Sequence, residues 1–337
     1  MSLKSLTYSE LAKIVNHRTG EIKLGEQVLT LDSSDLSELD AIKAKGVKFC
    51  LLGIPESIGV IGNGGKTGTE NAWWTFLNAF LNIQSNRFLS GEAFVVLGEV
   101  DVRKLQVDLD QTDTNEARLL CERVDEMVYP IITAIVKSGL IPIVIGGGHN
   151  NAYPLLKGVA MGLNLNDGMN AINLDAHADF RSLEGRHSGN GFSYAKQHGF
   201  LNNYSAFGLH QSYNSESLLK SMDETGGVDY TFLEDIEDFE ASLNETIASY
   251  KNQGSWGVEV DMDAIKMIPS SAISPSGVTL EQARFFVRKC AENLMVKYLH
   301  LPEAAPTNSL EERMVGKALS YLVADFAKAY LQKKKVS

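Results

Sequence analysis

From about residue 47 onward the chain alternates between two hydrophobic textures. Short apolar runs rich in β-branched residues occupy 47–54 ("VKFCLLGI"), 93–100, 140–147, 170–177, 204–210, 228–235, 255–263 and 296–303. Their near-continuous apolar character predicts strands buried on both faces. Between several of them, apolar residues recur three and four apart. The stretch "TNEARLLCERVDEMVYPIITAIVKSG" accordingly predicts a long helix ended by a glycine. Strands alternating with helices predict a mostly parallel sheet covered on both sides, with a ligand beyond the carboxyl ends of the strands. Residues 1–45 have little periodicity, apart from "LDSSDLSELDAIKAKG", which predicts one short amphipathic helix ended by Gly46. They are read as an N-terminal extension packed on a single main domain of residues 46–337. No repeat, low-complexity segment or linker interrupts that domain.

Composition narrows the partners. Acidic residues outnumber basic ones, 42 against 31, for a formal net charge of −11. That excess argues against nucleic acid and against anionic membranes, and points to a small molecule. The N-terminal stretch has no apolar core suited to a signal peptide, and no run approaches the ~20 apolar residues of a membrane span, so a cytoplasmic location is expected. The three cysteines, Cys50, Cys121 and Cys290, show no paired spacing and fit a reducing compartment.

Candidate chemistry collects at three strand ends. "IPIVIGGGHN" delivers His149, "INLDAHADFR" delivers Asp175, His177 and Asp179, and "WGVEVDMDA" delivers Asp261 and Asp263. In extended chain, residues i, i+2 and i+4 share a face, so each set can converge on one place. Four carboxylates buried together without cations would shift their pKa values or unfold the site. Four carboxylates and two imidazoles with no thiolate favour Mn²⁺, with Zn²⁺, Fe²⁺, Co²⁺ and Ni²⁺ open, and six ligands suit two metals better than one. A phosphate-loop reading of "GVIGNGGKTGT" fails because the position that motif requires as glycine is Val60. His17, His198, His210 and His300 lack ligand-spaced partners and are read as surface or hydrogen-bonded residues.

These motifs, as "GGGHN", "DAHADFR" and "VDMDAIKMIPSSAISPSG", resemble in kind and order those of the ureohydrolase family, which includes arginase, agmatinase and formimidoylglutamase. The resemblance implies a three-layer α/β/α sandwich around an eight-stranded, mostly parallel sheet. It implies two Mn²⁺ ions, one held by His149, Asp175, Asp179 and Asp261, the other by Asp175, His177, Asp261 and Asp263. A water activated between them would attack an amidine or guanidine carbon. Asp179 would carry a proton to the leaving amine, and Glu303 would pair with the planar substrate cation. Gly148 and Phe192 stand where arginases have an aspartate and a proton-shuttling histidine, and both resemble formimidoylglutamase. Arg181 is suited to a substrate carboxylate, Ser188 and Asn190 belong to the substrate loop, and His187 could replace the missing shuttle. Arg186 reads better as a structural ion-pair partner than as a substrate ligand. The implied reaction converts N-formimidoyl-L-glutamate to L-glutamate and formamide. Arginase, agmatinase or another guanidino hydrolase is the alternative, and a metal-free binding protein the lesser one. Family resemblance further implies a homo-oligomer, trimer or hexamer, and places 59–69 at the rim of the site.

Overall fold

All eight apolar runs become strands, and two further short strands join them. The computed structural model describes residues 2–31, 33–250 and 252–336, with side chains through residue 333. Among these the strands are β1 (Leu3–Ser5), β2 (Leu29–Thr30), β3 (Phe49–Gly53), β4 (Phe94–Val100), β5 (Ile141–Ile145), β6 (Met169–Leu174), β7 (Leu201–Leu209), β8 (Val228–Phe232), β9 (Ser255–Val260) and β10 (Met295–Leu301). They form one sheet in the order β1-β4-β3-β5-β10-β9-β6-β7-β8, with β2 also on β4. Only the β1 pairing with β4 is antiparallel. The expected eight strands are therefore ten. The two additional ones have three and two residues, too short to show any hydrophobic period.

Alternation along each strand feeds two cores. Phe49 and Leu51 of β3 pack with Trp73, Phe76 and Leu319 from helices Ala72–Phe80 and Ser309–Val336. Cys50 and Leu52 face the other way, toward Val124, Val128 and Leu155 from helices Thr114–Lys137 and Ala152–Leu163. Successive side chains of a strand point to opposite faces, so a sheet buried on both sides produces this three-layer sandwich. The helix expected up to Gly46 runs over Leu39–Ala44, and Gly46 takes φ +97°, a backbone state that favours glycine. No helix among the described residues is long and apolar enough to cross a membrane.

The N-terminal segment contributes more than a covering. Leu6, Leu11 and Leu24 are at most 1% exposed and belong to the first of the two cores. If this segment is integral to that core, Leu11→Ala lowers the unfolding free energy by about 2–5 kcal/mol in urea denaturation. A segment merely draped on the surface would lose less than about 0.5 kcal/mol.

Candidate metal centre

Four strands adjacent in the sheet, β5, β10, β9 and β6, end at one place. Beyond β5, Gly146 and Gly147 take φ +83° and +74°, turning the chain so that His149 points back over the strand ends. Glu56, fully buried, clamps this turn by accepting from the Gly148 amide at 2.9 Å and from Asn151 Nδ2 at 2.7 Å. Beyond β6, Asp175 accepts the His177 amide at 2.7 Å, and Asp179 adopts φ +46°. Beyond β9, Asp261 accepts the Asp263 amide at 2.8 Å. Beyond β10, Glu303 adopts φ +65°. Two non-glycine residues in left-handed conformations beside buried carboxylates mark strain that the surrounding structure must hold.

His149 Nδ1 lies 3.2 Å from Asp175, 2.9 Å from Asp179 and 3.0 Å from Asp261. His177 Nδ1 lies 3.1 Å from Asp263 and 3.7 Å from Asp175. Donor atoms of His149, Asp175, Asp179 and Asp261 form one group within 4.8 Å of one another, and those of Asp175, His177 and Asp263 form a second. Asp175 belongs to both, whereas Asp261 belongs to the first. One imidazole nitrogen cannot satisfy three carboxylates with a single proton. Asp263 Oδ1 is buried with no partner at all. Such a convergence of N and O donors fits divalent cations and suits little else.

The ionisation of these groups follows their surroundings. Burial and the neighbouring Asp175 push Asp179 up to about 6. Burial opposes the charge of Asp175, but His149 and His177 hold its carboxyl well below the usual range. Burial drives Glu303 up to about 8, with Asp263 and Asp179 adding repulsion.

The cluster opens on a cavity of about 190 Å³ lined also by Asn63, Arg181, Ser188, Tyr213 and Glu303. Glu303 accepts the His149 amide at 2.6 Å and the Ser271 hydroxyl, which aims its carboxyl into the cavity. Arg181 is the one permanent cation of the lining, and it donates to Asn63 Oδ1 at 2.7 Å and Glu184 at 3.2 Å. Ser188 accepts from Asn63 Nδ2 at 3.2 Å. Asn190 faces elsewhere: its oxygen accepts from Arg186 and the His187 amide, and its Nδ2 donates to the Gly185 carbonyl. His187 is likewise turned into its own loop, accepting from the Gly189 amide and facing Glu184 at 3.2 Å. Burial, Arg181 and Arg118 bring its pKa down to about 4. Arg186 is buried in a two-pronged pair with Asp125, at 2.9 and 3.2 Å, and serves the loop.

Phe192 has a packing role. It stacks on Tyr204 at 4.2 Å and meets the His149 ring edge-on at 5.3 Å. Asn63 comes from the 59–69 stretch expected at the rim, and Ser271 from the motif that opens with Asp261, while Glu56 and Tyr213 lie outside every motif. Tyr213 stacks on its near neighbour His210 at 5.0 Å and on His177 at 5.2 Å, the latter a contact between remote segments that no local pattern carries. A larger cavity of about 550 Å³, between helices Ala72–Phe80 and Ser309–Val336, lies apart from every metal-binding group found among the described residues.

Comparison with known proteins places the chain by family and by fold. The arginase-family model matches residues 47–327. A formimidoylglutamase of Geobacillus thermodenitrificans is 30% identical over 191 residues, covering 52% of this chain and 56% of that one. The fold resembles that of formimidoylglutamase from Bacillus subtilis, with TM-score 0.74, 17% identity and coverage of 96% and 95% of the two chains. It also resembles Trypanosoma cruzi formiminoglutamase with Mn²⁺, with TM-score 0.69, 17% identity and coverage of 91% and 99%.

Gly148 is required by space. A Cβ there would lie 2.5 Å from Asn150 Oδ1, 2.9 Å from Val60 Cγ2 and 3.3 Å from Glu303 Oε1. Gly148→Asp adds both a clash and a buried charge, and is expected to lower stability by about 3 kcal/mol or more in urea unfolding.

Proposed function

The chain belongs to the arginase family, and on that premise we propose that it is a binuclear-manganese hydrolase acting on N-formimidoyl-L-glutamate, which it converts to L-glutamate and formamide. The observation that carries this reading is the convergence of four buried aspartates, buried His149 and half-buried His177 on a cavity whose one permanent cation among the described residues is Arg181. Relatives and structural neighbours named formimidoylglutamase support the same substrate.

His149, Asp175, Asp179 and Asp261 would hold one Mn²⁺, and Asp175, His177, Asp261 and Asp263 the other. Bound there, the pair supplies Lewis acidity and an activated water near neutral pH. Glu303, fixed by the His149 amide and Ser271, keeps lone pairs for the planar amidinium and orients its carbon toward the cluster. Asp179 is placed to take a proton and pass it to the departing amine. Arg181 stands at the cavity wall beside Ser188, where its guanidinium can receive a substrate carboxylate. Phe192 has no titratable group, and both ring nitrogens of His187 are engaged within the loop, so proton transfer rests on Asp179. The same reading makes the protein a cytoplasmic homo-oligomer.

One observation favours a guanidino substrate as the second reading. Arg181 is already bonded to Asn63 and Glu184, which leaves the cavity less positive than a dicarboxylate would need. Turnover of N-formimidoyl-glutamate, arginine and agmatine by the Mn²⁺-loaded protein separates the two. Formamide from the first is expected, and urea release as the fastest reaction would overturn the assignment. Arg181→Gln is expected to raise KM for N-formimidoyl-glutamate by roughly 10–100-fold, the worth of one charged hydrogen-bonding contact, with a smaller effect on agmatine, which has no carboxylate.

A further inference from the structure

Beneath the cluster lies a second buried polar group that the proposed reaction does not use. Glu259, Tyr298 and His300 are all 0% exposed. Tyr298 donates its hydroxyl to Glu259 Oε1 at 2.6 Å, and His300 Nδ1 lies 2.6 Å from Glu259 Oε2. Strand register places His300 directly opposite Glu259 across β10 and β9. The same Oε2 is 3.5 Å from His149 Nε2, an atom buried without a hydrogen-bond partner of its own.

A neutral imidazole has one N–H and one lone pair. With the proton on Nδ1, the Nε2 lone pair of His149 would oppose a carboxylate oxygen in a dry interior, and the N–H would occupy the side where Asp175, Asp179 and Asp261 converge. With the proton on Nε2, the N–H lies on the side of Glu259, whose Oε2 is 3.5 Å away, and the Nδ1 lone pair faces the three aspartates. The carboxylate selects the second arrangement. A carboxylate kept between two central strands is otherwise unfavourable, since an apolar residue would pack there without desolvating a charge.

We propose that Glu259 is a positioning residue for metal binding: it holds His149 in the Nε2–H tautomer, leaving Nδ1 to the cation, while Tyr298 and His300 hold Glu259. This rests on the reading of His149 as a ligand. Carboxylates that accept the second N–H of a ligating histidine orient the ring, and their loss weakens metal binding by about 10–100-fold.

The test is stepwise Mn²⁺ titration of the full chain by calorimetry, in the parent, Glu259→Gln and Tyr298→Phe. Glutamine keeps the volume but can present its N–H groups to His149 Nε2, which favours the wrong tautomer. Expected is a loss of about 10–100-fold at one of the two Mn²⁺ sites with the other unchanged. Tyr298→Phe, which keeps the carboxylate but frees one of its oxygens, gives a smaller loss at the same site. Glu259→Gln binding both ions as the parent does, or losing both sites equally as a general structural defect would, overturns the proposal. Should Glu259→Gln fail to fold, unaltered Mn²⁺ binding by Tyr298→Phe overturns it. A parent that binds no Mn²⁺ overturns the metal reading, and this inference with it.

Discussion

Four aspartates gathered in the interior set the terms for everything around them. Asp175, Asp179, Asp261 and Asp263 are each at most 9% exposed, and their charges face one another. Even with both neighbouring imidazoles protonated, the group would remain negative in a poorly solvated place. Divalent cations reverse the balance, because ligands that repel one another become ligands that share an ion. The free energy of binding is then also free energy of keeping these strand ends together. Arrangements around the cluster make sense as ways of holding it open and oriented rather than of neutralising it.

Parallel topology supplies the convergence cheaply. The carboxyl ends of β5, β10, β9 and β6 lie side by side, so short turns bring ligands from distant parts of the chain to one spot. Two deep polar anchors then fix the loops. Glu56 gathers the amides of the 146–151 turn, and the Asp125 pair with Arg186 gathers the 182–191 loop through Asn190 and the Asn150 carbonyl. Both are buried groups satisfied by several partners, the condition under which polar atoms specify a conformation instead of weakening it. Burial pushes Asp125 up to about 6 even beside Arg186, a measure of how dry that anchor is.

What was legible in the chain divides along the same line. Continuous apolar runs carried the eight main strands, but β6 ends at Leu174 and a left-handed turn at Asp179, not an alternating strand face, brings Asp179 beside Asp175. The short strands at Leu3–Ser5 and Leu29–Thr30 could not be seen, because pairing with β4 and not their own pattern makes them strands. Asn190 is expected at the substrate from its resemblance to the family's substrate loop, yet its amide is engaged by Arg186 and by the Gly185 carbonyl of its own loop. Glu259 did leave a signal: it is an acid inside an apolar strand, two residues before Asp261. A lone acid in such a run is a better pointer than a lone histidine, since burying it is more costly.

Depth and rim of the site therefore answer different questions. At depth, on the proposed reading, the aspartates, His149, His177 and Glu303 would recognise what amidines and guanidines share, a planar cation with an electrophilic carbon. All of these groups but the half-buried His177 are buried. At the rim, Arg181 has a half-exposed side chain that divides its bonds between Asn63 and Glu184, and Asn63 in turn holds Ser188. A substrate carboxylate arriving there exchanges partners already in place, so its net gain is smaller than a free guanidinium would give. On the proposed reading, selectivity among amidines would then depend on how readily Arg181 leaves Glu184, a competition between two carboxylates for one guanidinium. Glu184 also receives Arg118 at 3.3 Å, so it keeps a cationic partner when Arg181 turns toward the cavity. That second arginine lowers the cost of the exchange, which on the proposed reading would let the rim take an acidic substrate.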